Sequence, residues 1–320
     1  MEFIYNEIFR RHDTGSHPEN AARLDFLKDV PQTDLDDGSE FLELVHAGEY
    51  IADVCRTCRA GGGQLDGDTL VSSRSFDVAV AAVAATVKAS RTNGFAMVRP
   101  PGHHAFIARA SGFCLFNNVA IATTALVREG KRVMILDFDG HCGDGTEDTF
   151  YRWDSVLYCS LHQFPAFPFT GTVDQIGEGR GRGFTVNVPL PPLSGDDLFW
   201  KGMGLIMQIA EQFAPDCLAV SAGFDAHHAD PLLNLRLSAD TYYDLGRELG
   251  LAFPQMFAAL EGGYNTAYLS QCVHNFKDGV NGEQLKFSEQ RTDSMIQAVD
   301  EFDHRLFELE DKLKDFWKIT

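Results

Sequence analysis

Short apolar runs recur along the 320-residue chain, and helical patterns separate them. Runs of this kind, without polar alternation, are typical of strands buried in a parallel sheet. The predicted strands are 95–98, 132–137, 156–161, 185–188, 217–221 and 256–260, and the predicted helices are 76–90, 117–129, 196–213 and 239–251. Strands that alternate with helices predict an α/β fold, with one mainly parallel sheet flanked by helices on both faces.

Residues 99–104 read Arg-Pro-Pro-Gly-His-His and follow the first of these strands. Proline fixes φ and glycine permits a tight turn, so this loop presents two imidazoles from a stiff backbone. Imidazole transfers protons near neutral pH. His103 and His104 are therefore candidate catalytic residues. Taken alone, the loop is equally consistent with two histidines that have no catalytic role and only make hydrogen bonds.

Acids and a further histidine follow two other predicted strands. Asp137, Asp139 and His141 come at the end of strand 132–137, and Asp225 comes after strand 217–221. Ligands bind at the carboxyl ends of parallel strands. Three of these side chains, Asp139, His141 and Asp225, form an N,O set suited to a catalytic zinc that keeps one position for water. The alternative is that the acids only cap the helices that follow.

Tyr264 follows two glycines after strand 256–260. A phenol on such a flexible turn can donate a hydrogen bond to a developing oxyanion. A Gly-Gly-Tyr sequence alone also fits an aromatic residue of the core.

In this order, the motifs resemble those of the histone deacetylase family, in its class II-like and bacterial or archaeal branch. The resemblance covers most of the chain and is carried by segments 11–15, 17–20, 99–105, 112–118, 221–227 and 261–265. It implies an arginase/deacetylase-like catalytic domain over residues 1–294 with its active site at the carboxyl ends of the strands. It also implies a zinc-dependent amidohydrolase that removes acetyl or short acyl groups from lysine side chains.

The resemblance assigns a role to individual positions. It implies zinc ligation by Asp139, His141 and Asp225, and a catalytic pair, His103 and His104, oriented by Asp137 and Asp144. Tyr264 would polarise the carbonyl. The implied substrate-binding residues are Gly112, Phe113, Phe167, Leu232 and Asp68. A potassium or sodium ion would bind at Asp137, Asp139, His141, Ser160 and Leu161, and a second one near Phe150, Trp153, Val156 and Phe184.

Two positions depart from the family pattern. Cys142 stands where the family usually has a second histidine, and Gly140 replaces a larger residue, so we expect looser packing below the metal. A thiolate can ligate zinc, which leaves Cys142 open as an additional ligand. Many class II-like members have asparagine at the position of Asp144, so the charge state of His104 is left open.

Several functions stay open at this point. The same chemistry can act on acetylated polyamines or other small amines. Leu232 stands where polyamine-selective relatives carry an acid, and this favours acyl-lysine. A catalytically inactive acyl-lysine binding module is another possibility. A two-metal ureohydrolase related to arginase would use Asp225 together with Asp230.

The composition of the chain limits the kinds of molecule that it can bind and the compartment that we expect for it. The net charge is −19 and the pI about 4.9, which argues against tight nucleic-acid binding and suits either cationic substrates or solubility. No apolar run approaches the ~18 residues that span a bilayer. The seven cysteines are scattered, so we expect reduced thiols, including Cys55 and Cys58, in a cytoplasmic enzyme.

The segment 295–320 has a pattern of its own. Apolar residues recur there at alternating steps of three and four, at Val299, Phe302, Leu306, Leu309, Leu313 and Phe316. This spacing predicts an amphipathic helix. Its apolar face would pack on the domain of the same chain or against a second subunit in a homo-oligomer.

Overall fold

Seven parallel strands form the centre of the structure, a computed structural model that describes residues 1–320. The strands are β1 (Phe3–Ile4), β2 (Gly62–Gln64), β3 (Leu70–Ser72), β4 (Phe95–Ala96), β5 (Val133–Asp137), β6 (Val156–Gln163), β7 (Thr185–Leu190), β8 (Cys217–Ala222) and β9 (Met256–Leu260). The helices are α1 (Gly48–Arg59), α2 (Ser75–Thr92), α3 (Asn118–Arg128), α4 (Asp144–Phe150), α5 (Asp196–Phe213), α6 (Ala239–Ala252), α7 (Thr266–Val280) and α8 (Ile296–Leu313).

The order of strands in the main sheet is β1-β4-β9-β8-β5-β6-β7, and β2 pairs with β3 in a separate antiparallel hairpin. Every residue of the six strands from β4 to β9 in this sheet is buried, as expected when helices cover both faces of a sheet. The predicted α/β class is confirmed.

The strand order decides where the site lies. Strands β4, β9, β8 and β5 are neighbours in space although they are distant in sequence. All are parallel, so their carboxyl ends meet at one edge of the sheet. The loops that follow them carry the histidine pair, Tyr264, Asp225, and the Asp139 to His141 segment.

Some elements differ from the prediction. Strand β4 has only two residues, where 95–98 was predicted, and the chain then enters the loop with its two prolines, which lack N–H donors. Helices α4 and α7 and three 3₁₀ helices before α1, at Glu7–Arg11, Ala21–Leu27 and Ser39–Leu44, were not predicted. The strand β5 ends at Asp137, so Asp139 and His141 lie in a bend instead of an extended segment.

Helix α8 packs on the body of its own chain. Phe302, Leu306, Leu309 and Leu313 are buried, and Trp317 Nε1 donates to the carbonyl of Gly183 at 2.7 Å. The contact with a second subunit stays a prediction. No helix in the structure is both long enough and apolar enough to traverse a bilayer.

Candidate active site

Three predicted metal ligands meet at the carboxyl edge of the sheet. His141 Nδ1 lies 2.9 Å from Asp225 Oδ2 and 3.2 Å from Asp139 Oδ1. One ligand atom from each residue falls within 4.8 Å of the others. Both carboxylates are fully buried. Two buried carboxylates this close repel each other unless a cation lies between them.

Backbone amides hold these carboxylates in place. Gly262 N donates to Asp139 Oδ2 at 2.7 Å, and Gly140 N donates to Asp225 Oδ1 at 2.6 Å. Burial alone would lower the pKa of His141, but the Asp225 and Asp139 carboxylates outweigh it and raise that pKa to about 10. The site therefore favours positive charge, and its one nitrogen and two carboxylate donors fit a zinc ion.

The two histidines of the Pro-Pro-Gly loop face different carboxylates. His103 Nδ1 lies 3.0 Å from Asp137 Oδ2, and His104 Nδ1 lies 2.7 Å from Asp144 Oδ1. The ring centroids are 4.0 Å apart. The Asp137 side chain is fully enclosed, whereas the Asp144 side chain is 11% exposed. The structure thus places each histidine beside the acid that the family resemblance implies.

The surroundings set the two imidazoles apart. Burial would lower the pKa of His103, but Asp139 and Asp137 raise it well above the usual value. Burial and the neighbouring His103 together lower the pKa of His104 to about 4, against the opposing effect of Asp144. His104 is consequently neutral near pH 7 and able to accept a proton.

Tyr264 is fixed through its backbone. Asp230 Oδ2 accepts hydrogen bonds from Tyr264 N at 2.7 Å and from Asn265 N at 3.3 Å. The Arg23 guanidinium lies 5.1 Å from the centre of the Tyr264 ring. Burial raises the pKa of Tyr264 well above its ordinary value, so the phenol keeps its proton and stays a donor.

A cavity of about 450 Å³ leads to this cluster. It is lined by Asp66, Gly67, Asp68, His104, Gly112, Phe113, His141, Phe167, Leu232 and Tyr264. All five predicted substrate-binding residues are among them. A Cβ at Gly112 would lie 2.5 Å from His104 Cδ2, and φ is +52° there, so this wall requires glycine.

The rim of the cavity includes the loop between β2 and β3, of which only Asp68 was predicted from the sequence. The loop of the β2–β3 hairpin carries Asp66 and Asp68, and His17 Nε2 lies 3.3 Å from Asp68 Oδ1. Leu232 is 38% exposed on the rim. The opening therefore combines carboxylates with apolar side chains.

Buried charges behind the site were missed at the sequence level. Glu19 accepts hydrogen bonds from Arg99 Nε at 2.5 Å and from Arg23 Nη1 at 3.1 Å. Arg23 also donates to the carbonyls of Glu261 and Gly263. The signal in the sequence was that Glu19 and Arg99 lie within motifs whose other members have chemical roles, whereas Arg23 lies outside them.

Cys142 and Asp230, the two other residues considered as metal ligands, lie outside the group formed by Asp139, His141 and Asp225. Cys142 Sγ is buried 3.7 Å from Glu147 Oε2, and the cysteine is not part of the metal-ligand group. Asp230 is also outside that group, because its carboxylate holds the backbone of Tyr264 and Leu232. The structure offers no support for Cys142 as a ligand or for a second metal bridged by Asp230.

The residues predicted for monovalent ions are partly engaged with the protein itself. Asp137 and Ser160 are cross-strand neighbours, and Ser160 Oγ lies 2.7 Å from His162 Nδ1. At the second position, the carbonyl of Phe150 accepts from Trp153 N and that of Phe184 accepts from Tyr158 N. Ion binding at both places stays a prediction.

Comparison with known proteins identifies the family of this chain. The family model described as histone deacetylase domain matches residues 17–280. The chain belongs to the histone deacetylase family. It is 35% identical over 291 residues to a probable deacetylase of Archaeoglobus fulgidus, covering 82% of this chain and 80% of that protein. It is 37% identical to a histone deacetylase-like amidohydrolase of Pseudomonas aeruginosa, covering 79% and 69%.

Two solved structures share the fold over most of the chain. The HD domain of HDA15 superimposes with a TM-score of 0.88 at 28% identity, covering 99% of this chain and 96% of that one. An acetylpolyamine aminohydrolase from Burkholderia pseudomallei gives a TM-score of 0.81 at 27% identity, covering 88% and 98%. Membership in this family supports a hydrolase that removes acyl groups from amines.

Proposed function

We propose that this chain is a zinc-dependent deacylase that removes acetyl or short acyl groups from lysine side chains. One observation carries the proposal. His141 of the three-residue ligand group, His104 and Tyr264 line the same cavity. Each of these groups has a defined role in metal-assisted hydrolysis of an amide.

Asp139, His141 and Asp225 would hold the zinc ion. The chemistry that zinc supplies when bound is polarisation of an amide carbonyl and a lowered pKa of a water molecule. The potassium or sodium ion proposed at Asp137, Asp139, His141, Ser160 and Leu161 would offset the buried negative charge beside it.

The side chains of the protein carry out the remaining tasks. His104 Nε2 accepts the proton of the attacking water, while the hydrogen bond between its Nδ1 and Asp144 fixes the orientation of the ring. The proton then goes to the nitrogen of the departing amine. Tyr264 Oη donates a hydrogen bond to the oxygen that was the amide carbonyl. The products are a free amine and acetate or another short acid.

The walls of the cavity position the substrate. Phe113 and Phe167 would enclose the methylene stem of an acyl-lysine and exclude water from the reacting bond. Asp68 at the rim would accept hydrogen bonds from the substrate backbone.

Acetylated polyamines are the second candidate substrates. The resemblance to an acetylpolyamine aminohydrolase and the two rim aspartates, Asp66 and Asp68, favour this class. The apolar Leu232 on the same rim favours an acyl-lysine in a peptide. Turnover of acetyl-lysine peptides and of acetylspermidine, measured side by side, separates the two. The intact set of catalytic side chains argues against an inactive binding module.

The first test is a fluorogenic acyl-lysine assay of the zinc-loaded protein. We expect the kcat of His104→Ala and of Tyr264→Phe to fall by about 10²–10⁴, because each variant lacks a proton acceptor or a hydrogen-bond donor in the transition state. Phe307→Ala, at an exposed position of α8, serves as the control and should match the wild type. Near-normal kcat in either active-site variant contradicts the role given to that residue.

A further inference from the structure

A contact between two catalytic loops comes from a residue that the mechanism above does not use. Glu261 directly follows β9, and its side chain is fully buried. Its Oε2 atom accepts hydrogen bonds from Gly102 N at 2.7 Å and from His103 N at 3.1 Å. One oxygen atom therefore joins the loop of the histidine pair to the loop that carries Tyr264.

The backbone of Glu261 is itself held on two sides. Its N–H donates to the carbonyl of Ala222 at 3.0 Å, which ties it to the end of β8. Its own carbonyl accepts from Arg23 Nη2 at 2.5 Å, and Arg23 Nε donates to Gly263 O at 2.7 Å. The side chain of Glu261 thus extends from a fixed point, and the position of its oxygen defines the position of residues 102–103.

The contact requires one acceptor and no more. The amides of Gly102 and His103 make no backbone hydrogen bond, so Oε2 is their partner. The other oxygen, Oε1, is buried and has no hydrogen-bond partner in the protein. Loss of Oε2 would leave two buried donors unsatisfied, and the loop would shift to recover them. A negative charge is not needed to make either bond.

We propose that Glu261 is a positioning residue, which sets the distance and orientation of His103 and His104 relative to Tyr264 through the two bonds to Oε2. This inference depends on the proposed deacylase function, because it supposes that both loops act on one substrate. Misplacement of catalytic groups by a fraction of an ångström lowers the rate of the chemical step more than it lowers substrate binding.

Two variants of Glu261 separate the acceptor from the charge. In Glu261→Gln, the amide oxygen takes the place of Oε2 because two donors face that position. Glu261→Met has a similar length and no acceptor. We expect Glu261→Gln to keep kcat within about threefold of the wild type and Glu261→Met to lose at least about tenfold in kcat, with KM changed less than about threefold.

Hydrogen exchange followed by mass spectrometry provides a readout that does not depend on activity. Amides in a peptide covering residues 101–105 should exchange faster in Glu261→Met and at the wild-type rate in Glu261→Gln. Asp196→Leu is the matched control, because Asp196 is a buried carboxylate that accepts from Ser238 N and Thr292 N, both outside the catalytic loops. We expect this control to lose stability without loss of kcat.

The outcomes divide clearly. A wild-type kcat in Glu261→Met, or unchanged exchange at residues 101–105, overturns the proposal. Equal losses in Glu261→Gln and Glu261→Met also overturn it, because they would assign the effect to the charge. If Glu261→Met does not fold, the kcat and exchange rates of Glu261→Gln decide. Complete inactivity of the zinc-loaded wild type refutes the deacylase function, and the exchange comparison still tests the contact.

Discussion

Two aspartates five positions apart, Asp225 and Asp230, have different tasks. Asp225 points at His141, with 2.9 Å between Oδ2 and Nδ1, whereas Asp230 accepts from backbone amides of the Tyr264 loop. We therefore expect Asp225→Asn to weaken zinc binding by at least about a hundredfold, since an amide is a poor substitute for a carboxylate ligand. Metal content after dialysis against a graded series of chelator concentrations measures this.

The matched variant is Asp230→Asn. Asp230→Asn should bind zinc with the wild-type affinity, because Asp230 is not part of the ligand group. We expect its kcat to fall, because Tyr264 loses a hydrogen bond that holds its backbone in place. A comparable loss of zinc in both variants, or two metal ions per wild-type chain, would revive the ureohydrolase hypothesis with Asp230 as a bridging ligand.

The meeting of histidines and acids that follow strand ends was predictable from the sequence. The partners of charged residues that bond to distant backbone groups were not. The histidine pair, Asp139, His141 and Asp225 follow predicted strands, so strand geometry alone brought them to one edge. Arg23 follows no predicted strand, and the position of Glu261 after β9 does not indicate its partners. The partner of Arg23 at Gly263 lies 240 positions away, and that of Glu261 at Gly102 lies 159 positions away. Only the folded chain shows which charge meets which backbone group.

At the level of elements, apolar periodicity predicted most of the long helices but missed α7 and the short helix α4. Helix α5 has the predicted bounds, 196–213, because its buried face repeats with helical period. Helix α4 reads Asp-Gly-Thr-Glu-Asp-Thr-Phe and has no such face. Tertiary contacts stabilise it: a Cβ at Gly145 would lie 2.5 Å from the carbonyl oxygen of Ala105, and Asp144 binds His104.

Helix α8 gives the element-level prediction. Leu309 is fully buried in the face that packs on the domain, whereas Phe307 is 68% exposed. We expect Leu309→Ala to lower the free energy of unfolding by about 2–5 kcal/mol, because truncation of a buried leucine removes apolar contacts and leaves a cavity. Phe307→Ala should change it by less than about 0.5 kcal/mol. Urea unfolding of both variants measures the difference.

The same two variants also test whether α8 packs against a second subunit. If α8 contacts a second subunit through its outer face, Phe307→Ala should lower the molar mass in solution, measured by light scattering. A monomer in both cases assigns the whole helix to its own chain. A large stability loss in Phe307→Ala together with a small one in Leu309→Ala would mean that the buried face has been wrongly identified.

For the whole molecule, the response to acid is set by histidines enclosed in the core as well as by the net charge of −19. Burial lowers the pKa of His12, His46 and His162 to about 4. In the unfolded chain these residues have a pKa near 6.5. Between these values the unfolded state binds more protons than the native state, so stability falls as the pH falls from about 7 toward 4.

His46 allows a clean measurement of this effect. Its Nε2 accepts from Asn117 N at 2.8 Å and its Nδ1 lies 3.0 Å from Phe106 O, a pattern that a glutamine amide can reproduce without a titrating group. A shift from about 6.5 to about 4 predicts a contribution of about 2 kcal/mol to the stability lost between pH 7 and pH 5. His46→Gln should therefore lose about 2 kcal/mol less than the wild type over this interval, in urea unfolding at equal zinc and salt. Other histidines and the metal ligands contribute equally to both proteins and cancel in the comparison. An identical loss in both proteins would mean that the pKa of His46 in the native state is close to its value in the unfolded chain.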